Sequence, residues 1–253
     1  MRKDFIRKDV GISKVASRYQ APLRDAKDEL LQYADKIHSI YLYGSVGTGK
    51  ARSPSSDLDL LVVLHTKPSP GTKSDISMLE AILSKKYQKL FREVGITITY
   101  KSLCVKSKES YGWRFFLTVL CDRMYGPKLY TTEMKFFPSK KLARNLHGDI
   151  RTNIEAASKK IRNADPVSAR LQSQSIMKKI IRTGFSIVME QENLWTVDLK
   201  EMASLFSKHY PEKREDMRGV VSLANSPAPD RKTSIEVLDT FGKWMTKEFF
   251  AKT

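Results

Sequence analysis

Residues 57–64, DLDLLVVL, begin as an alternation of acid and leucine and pass into an unbroken apolar run. A run this short, alternating at its start and continuously apolar beyond, reads as a strand. Residues 39–44, SIYLYG, form a second buried strand ended by glycine, and residues 96–105, ITITYKSLCV, a third with β-branched alternation. Residues 21–37 predict a helix with Pro22 in its first turn and Leu23, Ala26, Leu30 and Tyr33/Ala34 at helical spacing. Residues 76–94 predict another, capped by Ser74 or Asp75 and ended by Gly95, with Leu79, Ile82/Leu83, Tyr87 and Leu90/Phe91 as its stripe. The order α-β-β-α-β predicts a mixed α/β or α+β sheet, and the fold expected is α+β, a mixed sheet with flanking helices.

From about residue 107 the pattern becomes helical. Residues 167–192 place Ile176/Met177, Ile180/Ile181, Phe185 and Val188 on one face and Lys178 and Arg182 on another. Residues 199–210 and 233–250 predict two more amphipathic helices, and residues 226–232, SPAPDRK, an exposed connection. The division expected is a sheet-bearing domain over 1–130 and a helical domain over 131–253. No window approaches the apolar length of a membrane span. The basic start lacks the apolar core of an export signal, and two cysteines, Cys104 and Cys121, make no disulfide framework. A cytoplasmic setting is expected, with no membrane partner.

Between the first two strands lies GSVGTGKA, residues 44–51, which nearly spells a Walker A loop. Gly44, Gly49 and Lys50 match, but Ala51 stands where a Ser or Thr must hold magnesium. The helix that should start at the lysine is also excluded by ARSPSSD, with Pro54 in its path. The downstream acids suggest different chemistry. Asp57 and Asp59, two apart at the start of a strand, project from one face. Paired carboxylates repel unless a cation lies between them, and magnesium, bound by a few carboxylates plus substrate phosphates, fits. Gly44 and Ser45 can offer backbone N–H groups and a hydroxyl to phosphates, the glycine because a β-carbon would obstruct the approach.

Gly44-Ser45 followed by Ser56-Asp57-Leu58-Asp59-Leu60 on the next strand resembles the signature of the polymerase-β-like nucleotidyltransferase superfamily. The compact pattern is similar to its minimal and antibiotic-type members and to related toxin and antitoxin enzymes. The match is firm over 39–64, and the element order extends it to about 105. The helical half, including residues 182–199, is similar to the helical domains that follow such catalytic domains. The resemblance implies transfer of a nucleoside monophosphate from an NTP to an acceptor, with Mg2+, two ions by expectation, and release of pyrophosphate. It assigns Asp57 and Asp59 as metal ligands and catalytic residues, and Gly44, Ser45 and Ser56 as nucleotide binders. Lys50 and Arg52 are its candidates for neutralising the triphosphate. One departure stands out. A third acid is usual on the following strand, yet Thr97 and Thr99 occupy that face here, so Glu93, Asp122 or Glu133 must reach in, or the site runs on two carboxylates or is inactive.

Charge bears on the acceptor. Forty-five Lys and Arg against 28 Asp and Glu give +17, a balance that favours polyanions through counterion release. Residues 101–144 hold ten bases and three acids, and residues 159–182 seven and one. A cationic antibiotic is disfavoured by that field, and an RNA end, tRNA first, is the expected acceptor. A fold that has lost its chemistry and only binds nucleic acid, or transfer to a partner protein in a toxin–antitoxin system, are the competing expectations. His38, His65, His147 and His209 show no metal-ligand spacing. The aromatics of YGWRFF (111–116) and KFF (135–137) could stack bases, but such runs are more often core.

Overall fold

The computed structural model describes residues 4–226 and 231–253. The chain divides into two compact units, Arg7–Met134 and Lys135–Thr253 with the described residues as far as Ile6. The first contains, in order, α1 (Ser17–Leu30), β1 (Ile37–Tyr43), the single turn α2 (Gly44–Gly47), β2 (Leu58–Leu64), α3 (Pro70–Lys86), β3 (Val94–Tyr100), α4 (Lys101–Lys106), α5 (Ser110–Phe115) and β4 (Cys121–Tyr125). The four strands make one mixed sheet in the order β3-β2-β1-β4. β2 and β3 are parallel, which the 17-residue crossover helix α3 permits, and β1 runs antiparallel to β2 and β4.

The apolar run of β2 is buried on both faces. Leu58, Leu60, Val62 and Leu64 join a core with Leu23, Ala26 and Leu30 of α1 and Ile76, Leu79 and Leu83 of α3. Leu61 and Val63 point the other way, to a smaller core with Tyr41, Cys104, Leu117 and Cys121. Both cysteines are buried and free, their thiols pushed up by desolvation.

Several boundaries differ from the sequence reading. α1 starts at Ser17, so Pro22 lies within the helix; the earlier start buries Tyr19 against Phe91, ring centroids 5.1 Å apart. The cap of α3 is Ser69, whose side chain accepts from the Thr72 N–H while Pro70 occupies the first helical position. The helix ends at Lys86, and Gly95 belongs to β3. Ile82, assigned to the stripe, is exposed. β3 begins at Val94, and residues 101–105 turn into α4. β4 has no counterpart in the sequence reading. Its CDRMY carries two charges and no alternation, and it pairs because the edge of β1 offers a ladder from Ile40 to Tyr43.

The second unit is helical: α6 (Lys140–His147), α7 (Ile150–Asn163), α8 (Pro166–Glu192), α9 (Leu199–His209), α10 (Arg214–Asn225), α11 (Arg231–Val237) and α12 (Lys243–Lys252). α8 is its axis, capped by Asp165, whose carboxylate accepts from Val167 and Ser168 N–H, with Pro166 behind the cap. Ile176, Met177, Ile180, Ile181, Phe185 and Val188 are all buried. The helix expected over 233–250 is α11 and α12 joined by a π-helical stretch, Leu238–Gly242. Of the expected connection at 226–232, residues 227–230 lie outside the described residues, and Arg231 and Lys232 already belong to α11. Among the described residues no helix is long and apolar enough to cross a membrane.

Candidate active site

Strand register brings the acidic residues together. Leu58 pairs with Val94, Asp59 with Gly95 and Leu61 with Thr97, while on the other side Tyr43 pairs with Asp59. Alternation puts Asp59, Gly95, Thr97 and Tyr43 on the face opposite Leu58 and Val94. Asp57 lies one residue ahead of β2 and Glu93 one residue ahead of β3. The same alternation, continued one residue beyond each strand, would carry them to the Asp59 face, and Glu93 is near enough to Asp57 to feel its charge.

Gly44 is held at φ +73°, where L side chains rarely go. A β-carbon there would lie 2.9 Å from Asp59 Cγ and closer still to Oδ2. The glycine is therefore needed for the turn and for room beside the carboxylate at once. Ser45 follows in α2, its carbonyl accepting from the Lys50 N–H at 2.9 Å and the Thr48 hydroxyl at 3.2 Å. Ser56 closes the loop by accepting from the Arg52 N–H at 2.8 Å. Lys50 sets its ammonium 3.9 Å from Asp9, and Arg52 is exposed in the loop.

Asp57 is clamped by Arg92, which donates from Nε to Oδ1 at 2.9 Å and from its terminal nitrogen to Oδ2. That pairing, and the charges of Glu93 and Asp59, hold the guanidinium above its usual range against a smaller burial effect. Glu93 is pushed up, first by burial and then by the charges of Asp57 and Glu80, with Arg92 opposing. Tyr43 meets Thr97 through their hydroxyls at 3.0 Å, and burial with the nearby Asp59 charge pushes its phenol up to about 12.

The third-acid question is narrowed by this geometry. Thr99 is buried against Cys104 and Thr97 is bonded to Tyr43. Asp122 is engaged elsewhere, accepting from Lys8 Nζ at 2.6 Å and the Ile12 N–H at 2.8 Å. Glu93 lies close enough to Asp57 to feel its charge. Because β3 starts two residues earlier than the β-branched run suggests, Glu93 sits at the strand mouth. The Glu-Val-Gly step before ITITY was the available signal. No sequence signal marked Arg92 as the partner of Asp57.

Among the described residues no group of three or more His, Cys, Asp or Glu is arranged to hold a metal ion as it stands. The donors at the sheet end are nonetheless hard carboxylates. Magnesium keeps several waters and takes substrate phosphates as ligands, so one or two carboxylates suffice. The residues fit the ion.

Residues 27–105 match the family model described as Polymerase beta, Nucleotidyltransferase. That stretch of the sheet-bearing unit is similar to the nucleotidyltransferase domain of the polymerase-β superfamily, a group that generally uses Mg2+ and an NTP. Among solved structures, the chain is similar to spectinomycin adenyltransferase from Enterococcus faecialis, crystallised with ATP and spectinomycin. The identity is 13% and the TM-score 0.58, over 90% of this chain and 98% of that one. At that identity the likeness concerns the fold, a sheet domain followed by a helical region. No curated protein matches the chain.

Proposed function

We propose that this chain is a magnesium-dependent nucleotidyltransferase that moves a nucleoside monophosphate from an NTP to a hydroxyl at an RNA end. The observation that carries the chemistry is the fit of Gly44 against Asp59, with Asp57 and Glu93 at the same sheet end. An acceptor oxygen bonds to the α-phosphorus, the bond from that phosphorus to the bridging oxygen breaks, and pyrophosphate leaves. Asp57 and Asp59 would hold magnesium, which would supply charge neutralisation on the phosphates. Glu93, whose proton affinity is raised, accepts the hydroxyl proton. Gly44 and Ser45 seat the phosphates through backbone N–H groups and the serine hydroxyl, and the loop closed by Arg52 and Ser56 places Asp57.

The acceptor is argued from charge. A net +17, with dense basic stretches at 101–144 and 159–182, suits a polyanion. A second reading, a small hydroxylated acceptor, is favoured by the likeness to spectinomycin adenyltransferase along nearly both whole chains. The test is transfer from each α-labelled NTP, with magnesium, to total RNA or to spectinomycin, beside an Asp57→Ala, Asp59→Ala variant. Label entering RNA only with the intact protein is expected. Label in spectinomycin selects the second reading, and label in protein selects protein nucleotidylation. Absence of all label, with salt-sensitive RNA binding retained, means that the fold binds without transferring.

A further inference from the structure

The glycines of GSVGTGK have neighbours that phosphate binding does not explain. Residues 7–15 lie outside the matched domain, yet they are built onto the turn after β1. The Gly11 N–H donates to the Gly47 carbonyl at 2.9 Å. A β-carbon on Gly47 would run into Val10 Cγ2 and come within 3.3 Å of Leu42 Cγ. One on Gly49, itself at φ +72°, would lie 3.1 Å from the Lys14 carbonyl oxygen. On its other side the segment is fixed by Asp122 of β4 through Lys8 and the Ile12 N–H. Val10 and Val15 are buried. The segment is a strap seated on α2, and Gly47 and Gly49 are small so that it can approach.

The strap brings charge to the phosphate turn. Lys14 Nζ donates to the Asp9 carbonyl at 2.9 Å and to its carboxylate, and Lys50 Nζ lies 3.9 Å from the same carboxylate. The Lys14 hydrogen bond, more than the smaller opposing burial, holds the Asp9 carboxyl below its usual range. Two ammonium groups thus flank one carboxylate, and the backbone of Lys50 is bonded to Ser45. Lys14, Asp9 and Lys50 are 44%, 59% and 65% exposed. Pairs this open to water are weak, and a polyphosphate of higher charge displaces a single carboxylate.

We propose that the strap is part of the nucleotide site: Lys14 and Lys50 bind the β- and γ-phosphates of the NTP, which are not transferred, and Asp9 holds both lysines until nucleotide arrives. This rests on the reading that Gly44 and Ser45 seat an NTP. The test is calorimetric titration of the full chain with ATP and with AMP, in magnesium, for wild type, Lys14→Gln, Lys14→Arg and Asp9→Asn. Thermal melting of each variant checks that it is folded. Lys14→Gln is expected to weaken ATP about tenfold, the scale of one charge-assisted contact, and to leave AMP unchanged. Lys14→Arg keeps most of the affinity, and Asp9→Asn tightens ATP by removing its competitor. Equal weakening of ATP and AMP by Lys14→Gln would mean a merely structural strap and overturn the proposal, as would unchanged ATP affinity. Failure of the wild type to bind either nucleotide would sink the nucleotidyltransferase reading along with it.

Discussion

Gly44→Ala perturbs the site at its tightest point. The added methyl would sit 2.9 Å from Asp59 Cγ and 3.2 Å from its Cβ. Carbon atoms pack at about 3.5–4.0 Å, so Asp59 must retreat by roughly 0.5–1 Å or the turn must change. The left-handed backbone adds about 1–2 kcal/mol of strain for a residue with a β-carbon. A shift of about 1 Å in a group that positions reacting atoms costs on the order of 100-fold in rate. The expected outcome is a fall of about 100-fold in kcat/KM for nucleotidyl transfer, with Tm lower by only a few degrees. Gly219→Ala is the control. Gly219 lies within α10 with nothing within 4 Å of the added carbon, so the change should stabilise by about 0.5–1 kcal/mol and leave transfer unchanged. The assay is the labelled-NTP reaction run at matched concentrations of folded protein. Transfer at the wild-type rate by Gly44→Ala would refute the claim that Asp59 must lie against this turn.

Arg92→Gln removes the clamp from both oxygens of Asp57; Mn2+ binding by the nucleotide-free protein, followed by electron paramagnetic resonance, should tighten about tenfold. Unchanged Mn2+ affinity would show that Arg92 and a divalent ion do not compete for that carboxylate. His147 gives a pH signature: burial, helped by the charges of Lys179 and Arg182, pushes its imidazole down to about 3, and its Nδ1 has no hydrogen-bond partner. Above the ordinary value of 6.5 the ring is neutral whether folded or unfolded and adds no pH dependence. Below it only the unfolded chain takes the proton, so stability falls with pH by about 1.4 kcal/mol per unit until the folded value is reached. His147→Leu should therefore lose less stability than wild type between pH 6.5 and 4 in denaturant titrations, and parallel losses would contradict the burial argument.

What could be read directly from the chain was local. The apolar run of β2, the glycine ending β1 and the spacing of Asp57 and Asp59 carry their meaning within a few residues, because strand alternation and left-handed turns are short-range properties. The long helix α8 was legible for the same reason, its period sustained over many turns. The ends of α3 and β3 were not, since Ser69 caps through a turn that competes with other serines nearby, and Phe91 is buried by Tyr19 from a distant helix. β4 lacked any pattern of its own and exists because β1 had an open edge. The partners of the site were decided only by folding. Asp57 meets Arg92 across 35 residues, and Asp122 anchors the strap across 110. The near-Walker spelling shows the division most clearly: sequence alone excludes a P-loop through Ala51 and Pro54, but only packing of Val10 and Lys14 onto the turn explains why Gly47 and Gly49 are small. A residue's neighbours in space are set by the whole chain's burial, which no short window contains.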